Sequence, residues 1–426
     1  MSSHRPRPHS LSTGQRTTHL LLHDSRLHSS AGAHEVIGLL RKHRHVTHIT
    51  AGHNDLGDEG CVTLIEFLCS EEGKDTRVQE LGLNANGLQN GALGAIARYL
   101  RNNASLISLS LSNNAFQALG EVSIDFVEAI NTSRLQVLTL TNNASLSDTF
   151  LSIFLPRLSS PYLRTLNLSV LGLSPDSAPT ISDYIASPRS ACLRNLTLNG
   201  NFLGRGSVRH IIRTIQTANY TLQSVELLGN HLYDLVDSNA PGSPEAGAEG
   251  PQDGTFTVAH MRSILEQVLS RNQMLFVRLK RNALHFLPIA RILLLSPTVT
   301  LFDPDSEPSS DSNSSPEAHS LVSTVRTTAQ LWRALPLEVQ LEILRYFAPV
   351  LSPSQYTLVT NFSADLSTLP PLASNFVLPT PGIKRKTREE EREEWLRLVG
   401  CDHFEWCSDA QVAMALEMNG PVPFTL

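Results

Sequence analysis

The sequence predicts an α/β fold of stacked strand–helix repeats, with parallel strands on one side and helices on the other. Three observations predict it. The frame Leu193, Leu196, Leu198, Asn201, Leu203 recurs through most of the first 300 residues, with its Asn slots 28 to 32 residues apart except across the last gap. Within each frame the apolar residues alternate, so Leu196 and Leu198 share one face of a short strand while Asn195, Thr197 and Asn199 take the other. Between frames, sets such as Leu56, Leu64, Leu68 and Leu88, Ile96, Leu100 mark the apolar stripe of a helix. One such unit cannot bury both its faces, but about eight stacked units share a continuous core.

Residues 1–16 are polar and basic and are expected to be disordered. The repeat array is expected over 17–300. It begins with a degenerate unit, Leu20 and Leu22 on a strand and Val36, Leu39 and Leu40 on a helix. Frames follow from Val46, Val78, Leu106, Leu135, Leu163, Leu193 and Leu222. The Asn slot, filled by Leu171 in the copy from Leu163, falls where the chain leaves its strand, so an amide there can satisfy backbone groups left unpaired by the turn.

Residues 237–254, rich in Gly, Pro and Ala, interrupt the array as a flexible insertion. A helical half resumes near Thr257, and a final frame follows at Met274, Val277, Leu279, Asn282, Leu284, with Pro288 and Pro297 ending the array. Residues 301–325 form an acidic Ser/Pro linker, expected to be a disordered spacer. A helical module is expected over 326–426. It opens at 331–350 on a helix with Pro336 in its first turn and Val339, Ile343, Leu344 and Phe347 as an apolar stripe. Five prolines lie in Leu351–Pro381, so the next helix is expected only at Thr387, which forms a capping box with Glu390.

The frame, exemplified by Leu81-Gly-Leu-Asn-Ala-Asn-Gly-Leu88, resembles the ribonuclease-inhibitor class of leucine-rich repeats. That resemblance implies a horseshoe solenoid with strands inside and helices outside, a fold that hosts many unrelated binding roles. The stretch Leu335-Pro336-Leu-Glu338 followed by Ile343-Leu344-Arg-Tyr-Phe347 resembles the first helix of an F-box. It implies docking to a Skp-type adaptor of cullin ubiquitin ligases through Leu335, Pro336, Glu338, Ile343, Leu344 and Phe347. An F-box usually precedes its repeats, whereas this helix follows them; the residues equally suit a helical cap on the last repeat. The combination is similar to ribonuclease-inhibitor-like proteins of basidiomycete fungi, and that similarity implies an architecture rather than an activity.

Composition narrows the function classes. A net charge of −6 over 426 residues argues for neither nucleic acid nor a membrane surface as partner. No apolar run reaches the roughly 18 residues of a spanning helix, and Leu20–Leu22 is too short for a secretion signal. Five cysteines suggest reduced thiols and a cytoplasmic or nuclear protein. The eight Asn-x-Ser/Thr sequons are read as by-products of the strand frame. Ten of the 16 histidines lie at or before His53, but their spacing forms no compact ligand pattern, so no metal and no cofactor is expected. Cys401, His403 and Cys407 likewise lack a fourth ligand for zinc.

Catalysis requires a convergent base, nucleophile or metal cluster, and the sequence displays none, so an enzyme is not expected. The outward strand slots hold small hydroxyl and amide side chains. Among them Ser110, Thr139, Asn167, Thr197 and Glu226, with Arg278 and Lys280 as a basic end, are the candidate partner-binding residues. The same residue types would also fill solvent-facing slots with no ligand at all. The expected function is a protein-binding scaffold, extended by the F-box resemblance to a substrate receptor of a ubiquitin ligase; a small-molecule ligand is not expected. The alternative is a GTPase activator, since the Ran activator shares this repeat type, although its acidic tail has no counterpart here.

Overall fold

The computed structural model describes residues 18–118, 120–231, 257–295, 331–332, 334–369 and 387–417. The expected N-terminal segment 1–16, insertion 237–254 and linker 301–325 lie outside the described residues. Two compact units are present, Met1–Ser270 and Arg271–Leu426, and the division falls inside one long helix.

In the first unit, eight three-residue strands form one open, wholly parallel sheet: β1 (His19–Leu21), β2 (His48–Thr50), β3 (Glu80–Gly82), β4 (Ser108–Ser110), β5 (Val137–Thr139), β6 (Thr165–Asn167), β7 (Asn195–Thr197) and β8 (Ser224–Glu226). Each strand pairs with the next in sequence, in a register that aligns equivalent frame positions. The central residues Leu20, Ile49, Leu81, Leu109, Leu138, Leu166, Leu196 and Val225 therefore form one buried row. Parallel neighbours need a crossover, and a helix follows each of β1–β7: α1 (Ser29–Lys42), α2 (Gly57–Cys69) with the short α3 (Glu71–Lys74), α4 (Asn90–Leu100), α5 (Gly120–Thr132), α6 (Ser147–Arg157), α7 (Ser177–Ala186) and α8 (Gly204–Ala218). Their buried faces follow helical periodicity. In α8 these are Val208, Ile211, Ile212 and Ile215, and each such side chain stabilises the unit by roughly 1.5–3 kcal/mol on burial. Phe126 of α5 and Phe150 and Phe154 of α6 add an aromatic centre, with ring centroids 4.8 Å apart for Phe150–Phe154.

The frame asparagines do more than cap their own turns. Asn201 Nδ2 donates to the Leu198 carbonyl of its own repeat (2.9 Å) and to Leu168 of the preceding one (3.0 Å). Its Oδ1 accepts from the Leu171 and Leu173 N–H groups at 2.9 and 3.2 Å. Asn114 repeats the pattern, accepting from Asn86 and Leu88 and donating to Leu83 and Leu111. Each such amide clamps successive repeats together, fully buried at Asn201 and half-buried at Asn114. The residue before the slot is left-handed in every full frame: His53, Ala85, Asn113, Asn142, Val170, Gly200 and Gly229, with φ between 52° and 67°. Val170, at φ 53°, is the costly member, because a β-branched side chain crowds that conformation.

The final frame does not make a ninth strand. Met274, Val277, Leu279, Asn282 and Leu284 all lie in α9 (Val258–Leu295), and Met274 and Val277 are each 46% exposed. Buried Leu275, Leu279, Ala283, Phe286 and Ala290 follow helical spacing instead. Pro288, expected to end the array, sits within this helix. The second unit continues with α10 (Leu337–Arg345), α11 (Pro353–Ala364), α12 (Arg388–Leu398) and α13 (Asp409–Glu417). Within it Phe286 stacks on Tyr356 at 5.5 Å, and Leu344, Val359 and Leu396 are fully buried.

The Thr387–Glu390 capping box opens α12 as expected. Helix α11 was not expected in its proline-containing stretch. It forms because Pro353 takes the tolerated first-turn position and Ser352 makes a capping box with Gln355.

Candidate functional site

The polar face of the sheet carries three rows of outward side chains. Register puts Ser110, Thr139, Asn167, Thr197 and Glu226, five of the seven sequence candidates, in one row across five consecutive strands. All are half-buried except Glu226, which is exposed.

The face is tied together laterally. Ser110 Oγ donates to Asn84 Oδ1 at 2.7 Å, Asn195 Nδ2 donates to Thr165 Oγ1 at 3.0 Å, and Asn199 Nδ2 donates to Glu226 Oε2 at 2.7 Å. The next row holds Ser112, Thr141, Ser169 and Asn199 at the strand exits. There the Thr141 and Ser169 hydroxyls are buried and have no hydrogen-bond partner among the described residues. An unsatisfied buried hydroxyl costs about 1–3 kcal/mol.

The other two candidates lie elsewhere. Arg278 and Lys280 are on α9 rather than on a strand, and both are engaged inside the second unit: Arg278 donates to the Ala415 carbonyl, and Lys280 pairs with Glu393. The physical reason is that their segment is helical, so the alternation that would expose them on a sheet face does not operate. Asn282 keeps its amide chemistry in a new setting, donating to Phe347 O (3.1 Å) and accepting from Val350 N–H (3.3 Å).

The adaptor-type residues divide by burial. Pro336 and Glu338 are exposed, Leu335, Ile343 and Phe347 are half-buried, and Leu344 is fully buried. Helix α10 also exposes Leu337 (58%) and Val339 (41%) at its N-terminal end. Leu344 is therefore an anchor of the unit, and the available apolar surface is the Pro336–Val339 end.

Sequence reasoning missed two features. Phe202 is 57% exposed and stacks on His231 at 5.1 Å, at the last described turns of the array. Its slot, just after the frame Asn, holds Asp55, Gly87, Ala115, Ala144 and Gly172 in earlier repeats, so a lone aromatic there was a legible signal. The second is a charged cluster in the second unit. His403 Nδ1 lies 3.1 Å from Asp402 and its Nε2 lies 3.5 Å from Glu405, whose other oxygen accepts from Ser352 Oγ at 2.5 Å.

Burial works against the His403 cation, but the hydrogen bonds to Asp402 and Glu405 override it and raise the ring to about 9. The hydrogen bond from His403 in turn lowers Glu405 to about 2. Cys401 is buried, which pushes its thiol up to about 12, whereas Cys407 is exposed. Among the described residues no helix is long and apolar enough to cross a membrane. No protein-family model and no curated protein matches this chain.

Proposed function

We propose that the chain is a non-enzymatic interaction protein. In this reading it is a leucine-rich-repeat solenoid of the ribonuclease-inhibitor type whose strand face binds a protein partner. Its C-terminal helix couples that partner to a Skp-type adaptor of a cullin ubiquitin ligase, in the cytoplasm or nucleus.

One observation carries the reading: Ser110, Thr139, Asn167, Thr197 and Glu226 stand in one outward row across five consecutive strands. Side chains held at a strand spacing of about 4.8 Å form a rigid hydrogen-bonding surface. Such a surface suits a protein ligand, where small polar contacts surround a few anchors. The exposed Phe202 and Leu228 at the same end as Glu226 are the apolar anchors available. For the adaptor half, the support is the F-box resemblance together with the exposed Pro336, Leu337 and Val339 on α10.

The test separates the halves. Protein captured by the full chain from native extract is compared among wild type, Thr139→Arg/Thr197→Arg and Leu337→Asp/Val339→Asp. The first variant should lose the substrate-like partner and keep the adaptor, and the second should do the reverse. Capture that neither double substitution alters would remove the reading. Leu344→Asp is unsuitable, because a charge at a fully buried position unfolds the unit.

A further inference from the structure

Stacking brings together residues that sequence spacing keeps apart. His23 and Asp24, just past β1, meet His53, just past β2 in the next repeat. His23 Nε2 lies 3.3 Å from Asp24 Oδ2, and the His23 and His53 ring centroids are 4.5 Å apart. One ligand atom from each of the three side chains lies within 4.8 Å of the other two.

The backbone beneath them is fixed. Asp24 N–H donates to Gly52 O at 3.2 Å, and His53 N–H donates to Asn84 O at 2.9 Å. Asp24 and His53 are both left-handed, at φ 50° and 55°, which aims their side chains off the line of the strands. Gly52 lies under the His23 ring, where an added Cβ would stand 3.5 Å from Nδ1.

The neighbouring imidazoles are differently employed. His19 and His48 stack at 4.2 Å, and each Nδ1 meets the hydroxyl of the preceding threonine, at 2.9 and 2.8 Å.

We propose that His23, Asp24 and His53 form a binding site for an imidazole-preferring divalent cation of the Zn2+ type at the first edge of the sheet. Two neutral imidazoles and one carboxylate are a borderline N/O donor set suited to such ions. With metal–ligand bonds of about 2.0–2.2 Å, tetrahedral donors stand roughly 3.4 Å apart. The His23–Asp24 pair already has that separation, and exposed side chains close the rest by rotating about their χ angles. Three ligands leave a fourth position for water or for a donor from another molecule.

The experiment is Zn2+ titration of the full chain at pH 7.5 by calorimetry, with Co2+ absorption as a second readout. His23→Ala, Asp24→Asn and His53→Asn should each weaken one site by more than about tenfold. Asn is chosen at the two left-handed positions because it tolerates that backbone. A His4→Ala/His9→Ala variant should retain the site. Unchanged thermal melting of each variant without metal keeps folding out of the comparison. No uptake at millimolar Zn2+, or uptake and a Co2+ spectrum indifferent to the His23, Asp24 and His53 substitutions, would overturn the proposal.

Discussion

Two stretches of this chain carry the same frame and fold differently. Leu193–Leu203 makes β7 and its exit turn, whereas Met274–Leu284 lies within helix α9. The apolar and Asn slots match position for position, so the residues between them decide. In the first stretch these include Thr197, Asn199 and Gly200, and Gly200 takes the left-handed turn at φ 66°. In the second they are Leu275, Phe276, Arg278, Lys280, Arg281 and Ala283, mostly good helix formers, with Arg281 where glycine stood. The second stretch also has a rival periodicity, since Leu275, Leu279, Phe286 and Ala290 make one buried helical face. The frame is a strand signal only where its turn residues permit the exit and no stronger helical stripe competes.

The asparagines of the two stretches give the largest expected difference. Asn201→Ala removes four hydrogen bonds to buried backbone groups and should cost about 4 kcal/mol in the urea transition of the first unit. Asn282→Ala removes two bonds from a half-buried site, and about 1–2 kcal/mol is expected in the second unit. Equal losses would show that the clamp between repeats adds nothing beyond an ordinary turn contact.

A pH series sharpens the contrast between the units. His403 is raised from 6.5 to about 9, so its contribution is complete below about pH 6.5 and is lost as pH rises through 9. Glu405 is lowered from 4.5 to about 2, so its contribution is complete above about pH 4.5 and is lost as pH falls through 2. The second unit should therefore be most stable between about pH 4.5 and 6.5, with melting temperatures declining toward pH 9. Glu405→Gln should flatten the alkaline limb, and an unaltered limb would discard the assignment.

The smallest effect concerns one backbone position. Val170→Asn, matching Asn113 and Asn142 in the equivalent slot, should stabilise the array by about 0.5–1 kcal/mol by relieving left-handed strain. A thermal melt raised by a few degrees is the expected result; a lowered one would mean that Val170 packing outweighs its strain.

Part of the candidate site was legible beforehand. Alternation alone put Ser110, Thr139, Asn167, Thr197 and Glu226 on the outward face, because strand side chains have a period of two. The same rule misplaced Arg278 and Lys280, since it presupposes a strand. The unsatisfied hydroxyls of Thr141 and Ser169 could not be foreseen, because hydrogen-bond satisfaction depends on neighbours from other repeats. Nor could the division of the α10 stripe into buried Leu344 and exposed Val339, which depends on what packs against that helix.

By itself the sequence determined the period, the apolar row and the Asn slots, because these rest on local alternation and on turn chemistry inside each repeat. Only the tertiary structure decided which copies of the frame become strands, which amides clamp successive repeats, and which side chains meet across them. Those outcomes depend on pairing between residues about 30 positions apart and on competition with a buried helical face. Neither quantity is carried by any single repeat.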